Sequence, residues 1–93
     1  MYSVKIHSED SNLVERKYYE YIAGRESISF LMKGNDVNSN LLQEYINIVE
    51  VRFYELEKIK SLMSKKYKPV ELKDEPYTYT FDFDNETIIY EVK

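Results

Sequence analysis

The chain has 93 residues, 43% hydrophobic and 15% aromatic, which is enough for one domain with a single modest core and too few for two. The absence of cysteine excludes a disulfide scaffold, a thiolate nucleophile and thiolate-held zinc or iron–sulfur sites, and it predicts a cytoplasmic setting. A net charge of −4 argues against general affinity for nucleic acid or anionic lipid, and no stretch approaches the roughly 20 apolar residues of a membrane span.

Tyr2, Val4 and Ile6 alternate with Ser3, Lys5 and His7, which predicts a first strand over residues 2–6 with one buried face. This alternation also differs from the basic-then-apolar pattern of a secretory signal. Ser8 is placed as an N-cap with Glu9 and Asp10 in the first turn, where the helix dipole favours negative charge. A helix over residues 9–33 follows, closed by Lys33 and Gly34.

The segment 34–40 is rich in turn and cap residues, with Asn40 and Gln43 spaced like a capping box. A second helix is predicted over 39–67, its apolar stripe running through Leu42, Tyr45, Ile46, Val49, Phe53, Leu56, Met63 and Tyr67 until Pro69 ends it. The short connection makes the two helices an antiparallel hairpin. Residues 70–76, with two prolines nearby and mixed charge, read as a surface connection.

The period then changes. Tyr77, Tyr79, Phe81 and Phe83 alternate with Thr and Asp, and after Asn85-Glu86 a second alternating run carries Ile88, Tyr90 and Val92, which predicts a β-hairpin over 77–84 and 87–92. The fold class is therefore α+β, order β-α-α-β-β, with a helical hairpin packed on a small antiparallel sheet spanning residues 1–93.

Arg25 is the least ordinary residue, projecting near the centre of the stripe formed by Val14, Tyr18, Tyr21, Ile22, Ile28 and Met32. A guanidinium there must meet a carboxylate, stack on a ring or reach solvent. Glu50 and Glu57 flank the facing stripe, so a structural ion pair of Arg25 with Glu50 and Glu57 is expected, with an anion site at the seam as the functional alternative. Arg52 is a lesser case at the edge of its own stripe.

Both helices carry a second apolar strip opposite the first: Tyr19, Ala23 and Phe30 on one, Val51, Tyr54 and Leu62 on the other. A hairpin packed on itself and on a small sheet can bury one such strip, but burying both is harder in a small domain, so a leftover strip predicts a partner or a homodimer. The candidate partner-binding residues are Tyr19, Phe30, Val51, Tyr54, Leu62, Tyr77 and Tyr79, the last two on a strand edge open to an added strand. Proline at solvent-facing Thr80 would test that edge.

No grouping suggests catalysis or metal binding. The sole histidine is His7, no Glu-x-x-His motif occurs, and the acidic run Asp82, Asp84, Glu86 lacks the spacing of a calcium loop. The lysines at 58, 60, 65, 66 and 68 read as dipole compensation and solubility. No catalytic residue, cofactor or metal is assigned.

The segments Tyr18-Tyr19-Glu20-Tyr21, Leu41-Leu42-Gln43-Glu44-Tyr45 and Lys65-Lys66-Tyr67-Lys68-Pro69 resemble the small helical proteins of CXXX repeat peptide modification systems, across residues 13–69. Those proteins are encoded beside radical maturases and cysteine-repeat precursor peptides. The resemblance implies an accessory that handles a peptide or a maturase without chemistry of its own, and it transfers no catalytic residue. The aromatic hairpin lies outside it. The resulting expectation is a non-enzymatic accessory or adaptor that binds a protein or peptide, with a structural homo-oligomer or a small inhibitor of a partner as the alternatives.

Overall fold

A computed structural model describes residues 1–33 and 39–93. The elements are β1 (Tyr2–Lys5), α1 (Ser8–Met32), α2 (Ser39–Lys66), a 3-10 turn (Val70–Leu72), β2 (Tyr77–Asp82) and β3 (Thr87–Val92), an α+β arrangement in the expected order. The expected turn at 34–38 and the Gly34 cap lie outside the described residues.

β3 is the middle strand of a three-stranded antiparallel sheet, order β1-β3-β2. Val4 pairs with Ile88 on one side, and Tyr79 pairs with Tyr90 on the other. The even residues of β1 and β3 and the odd residues of β2 turn inward, as the period of two requires. Ile6, Val14, Leu56, Met63, Leu72, Ile88 and Tyr90 form the buried core, so the sheet packs on the start of α1 and the end of α2.

The long axis follows from element lengths. The 28 residues of α2 run for about 42 Å, whereas a six-residue strand reaches roughly 20 Å. The helical hairpin therefore projects beyond the sheet as an arm. The extents are 54 × 25 × 17 Å and the radius of gyration is 16.8 Å, against about 12 Å for a compact chain of this length.

Several expectations are corrected. Ser8 is the first helical residue and His7 the N-cap, which makes no side-chain capping bond. Phe83 and Asp84 belong to the turn rather than the strand. The turn covers residues 83–86, with Asp82 accepting from the Asn85 backbone N–H at 3.2 Å and its side-chain amide at 2.8 Å, while Glu86 takes φ 51°. The connection at 70–76 is not all surface, because its 3-10 turn drives Leu72 into the core.

The ion pair of Arg25 with Glu50 and Glu57 is not formed. Arg25 is exposed, its guanidinium 5.7 Å from the Tyr21 ring centroid, and Glu57 instead pairs with Lys60 at 3.5 Å. The physical reason is helix phase. The inward residues of α1 run Val14, Tyr21, Gly24, Ile28 and Leu31, so Gly24 takes the seam and Arg25 lies about 100° around the helix from it. The arginine that enters the seam is Arg52, which fills the space beside Gly24 and donates to the Glu20 carbonyl at 2.8 Å.

Candidate functional site

The two edges of the sheet differ. β1 is four residues long and carries Lys5, whose ammonium donates to the Asn85 carbonyl at 2.9 Å. A short edge strand bearing lysine resists a further strand. β2 is six residues long and has neither lysine nor proline within it.

Hydrogen-bond alternation fixes which groups of β2 are free. The Lys93 N–H donates to the Pro76 carbonyl at 3.0 Å, and residues 76 and 93 continue the register Tyr77↔Val92. Bonded and non-bonded pairs alternate along an antiparallel ladder, so Thr78, Thr80 and Asp82 bond to Glu91, Ile89 and Thr87. The other strand pair agrees, since the Ile6 N–H donates to Glu86 at 2.9 Å and β3 meets β1 through its even residues. The main-chain groups of Tyr77, Tyr79 and Phe81 therefore point away from the sheet. Proline at Thr80 would break the internal ladder, and the position that tests the free edge is Phe81.

The same three side chains face the hairpin and start a row of rings. Tyr77 lies 5.5 Å from Tyr90 and 6.3 Å from Tyr79, Tyr79 meets Phe81 edge-on at 6.0 Å, and Phe81 stacks on Phe83 at 6.1 Å. Phe83 then meets Tyr18 at 6.1 Å, and Tyr18 meets Tyr19 at 5.6 Å. Between this row and the helices lies a groove of about 470 Å³, lined by Tyr18, Leu56, Lys60, Tyr79, Phe81 and Phe83. Burial, reinforced by the nearby Glu57 carboxylate and opposed by a hydrogen bond with Ser64, pushes the Tyr79 hydroxyl above its ordinary 10.0.

Of the residues expected to bind a partner, Tyr77, Tyr79 and Tyr19 converge on this edge, Tyr19 lining a second hollow with Phe81 and Phe83. The rest are dispersed. Phe30 is 80% exposed near the end of α1, and Tyr54, 67% exposed, shares a shallow surface with Leu62 and Lys65. Val51, one turn before Tyr54 on α2, lines a separate hollow with Ile48, Arg52 and Glu55. Phe81 and Phe83, on the aromatic strand expected to be the recognition edge, complete the groove with Tyr18 and Leu56, readable only as core, and Lys60, readable only as part of a basic cluster.

A second polar cluster ties β1 and α1 to the end of α2. Lys66 donates to the Asp10 carboxylate at 2.8 Å, Tyr67 donates to the same oxygen, and the Tyr67 hydroxyl accepts the His7 N–H at 3.1 Å. The bond from Lys66, then that from Tyr67, holds the Asp10 carboxyl below its ordinary 3.8. Among the described residues, no group of three His, Cys, Asp or Glu is placed to hold a metal, and no helix is long and apolar enough to cross a membrane. No family model, no curated protein and no solved structure matches this chain.

Proposed function

We propose that this chain is a non-enzymatic protein-binding module that takes an extended segment of its partner as a fourth strand on the edge of β2. The observation that carries the reading is the outward row of main-chain groups at Tyr77, Tyr79 and Phe81, above a groove lined by rings. Main-chain bonds would supply affinity, and alternate guest side chains entering the groove would supply selectivity. Apolar and aromatic guest residues suit the rings, and Lys60 at the groove suits an acidic neighbour. The groups with displaced pKa, Asp10 and Tyr90 among them, are tied into structural bonds, which fits binding better than chemistry. An accessory in the cytoplasm that holds an extended peptide for a modifying enzyme is the form the helical resemblance favours.

The test is selection of random linear peptides on the immobilised protein, with Phe81→Pro and Phe81→Ala compared for each captured sequence. Both variants lose the ring, but only proline removes the outward N–H. Peptides that shift the amide resonances of Tyr79 and Phe81, and that bind Phe81→Ala far better than Phe81→Pro, support the reading. Peptides that bind both variants equally, or that map to the helices, overturn it.

A further inference from the structure

Residues 77–81 read Tyr-Thr-Tyr-Thr-Phe, which is aromatic, threonine, tyrosine, threonine, aromatic from either end. We infer that, when no other segment holds the β2 edge, it is closed by β2 of a second copy, paired antiparallel about a two-fold axis through Tyr79. The inference rests on the edge reading above and names one occupant of that edge.

The register follows from the ladder. Residues that exchange both main-chain bonds across a new strand pair must all point outward, and on β2 these are Tyr77, Tyr79 and Phe81. Centring on Tyr79 sets Tyr77 against the partner's Phe81 and Tyr79 against the partner's Tyr79. All three outward positions are satisfied on both copies, about six bonds in total. On the opposite face, Thr78 meets the partner's Thr80, a favourable cross-strand pair. A slip by two residues loses part of this set and brings Glu75 or Phe83 into line. No charge stands within 77–81, so like charges do not meet.

The axis is normal to the sheet, so both hairpins lie on one face of a six-stranded sheet. The two grooves then adjoin, and the ring rows of the copies run on into each other. This contact is isologous and closes on itself, giving a dimer rather than a filament. β1 cannot do the same as well, because it offers only Ser3 and Lys5 outward. A guest peptide and the second copy would compete for one edge, so dimerisation would raise the apparent dissociation constant of the guest by the reciprocal of the monomeric fraction.

Sedimentation velocity of the full chain from micromolar to sub-millimolar concentration tests this. The register makes a specific demand: T78K/T80K sets lysine against lysine, whereas T78K/T80E sets lysine against glutamate at the same exposed positions. The expected result is a concentration-dependent wild-type dimer, weakened roughly tenfold by T78K/T80K and retained by T78K/T80E and Tyr54→Glu. Concentration-dependent protection of the Tyr77, Tyr79 and Phe81 amides from hydrogen exchange provides a second readout on the unmodified protein. A wild type that stays monomeric overturns the inference and leaves the edge reading to the peptide selection. A dimer indifferent to both double variants but lost in Tyr54→Glu also overturns it, placing the interface on the helices.

Discussion

A Cβ added at Gly24 would stand 2.9 Å from Val49 Cγ2 and 3.2 Å from Arg52 Nη1, and neither atom can yield freely. Valine is stiff at χ1, and the Arg52 guanidinium is held by the Glu20 carbonyl. Glycine in mid-helix costs about 1 kcal/mol relative to alanine, a loss offset by the close approach of the two helices. Gly24→Leu should destabilise by about 2–3 kcal/mol through overpacking, read as a lowered urea midpoint; an unchanged midpoint would mean the arm adjusts without strain. Two titrations probe the core end. Asp10 has a lowered folded pKa, so its contribution is fully present above its unfolded value of 3.8 and is lost as pH falls through the folded one. The stability gap between wild type and Asp10→Asn should be flat near neutrality and narrow in acid. Tyr90 behaves in the opposite sense. Its hydroxyl donates to the Ser64 carbonyl at 2.6 Å, and burial pushes its pKa up from 10.0 to about 12. The unfolded chain therefore releases this proton first, and stability declines as pH rises across that interval. Tyr90→Phe should be less stable by about 1 kcal/mol at neutral pH yet lose less stability in alkali, as followed by circular dichroism. Equal alkaline loss in both proteins would remove Tyr90 from the account.

Two adjacent positions of β2 give the edge a test at the scale of the strand. The Thr80 N–H belongs to the β2–β3 ladder and the Phe81 N–H to the free edge, so proline should act differently at neighbouring residues. Thr80→Pro should lower the melting temperature sharply and disturb near-ultraviolet dichroism, while Phe81→Pro should melt close to Phe81→Ala. Greater damage from Phe81→Pro than from Thr80→Pro would mean the alternation runs the other way. The five main elements were legible from period alone, because the odd aromatics of β2 and the seam of α2 repeat over many residues. The candidate edge was only half legible. The alternation of Tyr77 to Phe81 shows which face is apolar, but which main-chain groups are free depends on the register with β3 and on β3 being central, both long-range facts. Arg25 was misread for a related reason. A helical projection locates a stripe to within about one residue, or 100°, and here that is the difference between Arg25 in the seam and Gly24 with Arg52 in it. Leu72 was missed because three residues in a 3-10 turn carry no period at all.

Stability in the whole molecule is concentrated at one end. Among the described residues, the buried hydrophobic core surrounds the sheet, whereas the distal parts of α1 and α2 meet along a narrow seam of Gly24 and half-buried side chains, where Tyr21 meets the exposed Phe53 edge-on at 5.4 Å. Phe30, Met32, Ile48, Val51 and Tyr54 remain exposed along this arm. Most helical stability in proteins comes from packing of an apolar face, and the arm packs little of its own, so it should open independently of the core. Native-state hydrogen exchange should show it directly. Amides of Leu56, Ile88 and Tyr90 should exchange only through global unfolding, with a denaturant dependence equal to that of equilibrium unfolding. Amides at 25–32 and 42–48 should exchange faster through a smaller opening, with a weaker denaturant dependence. Pairing of β2 between copies would leave the arm rates independent of protein concentration while slowing exchange at Tyr79 and Phe81. Arm amides as protected as those of Ile88, and increasingly so with concentration, would instead mean that a second copy covers the helices, because only association makes protection rise with concentration.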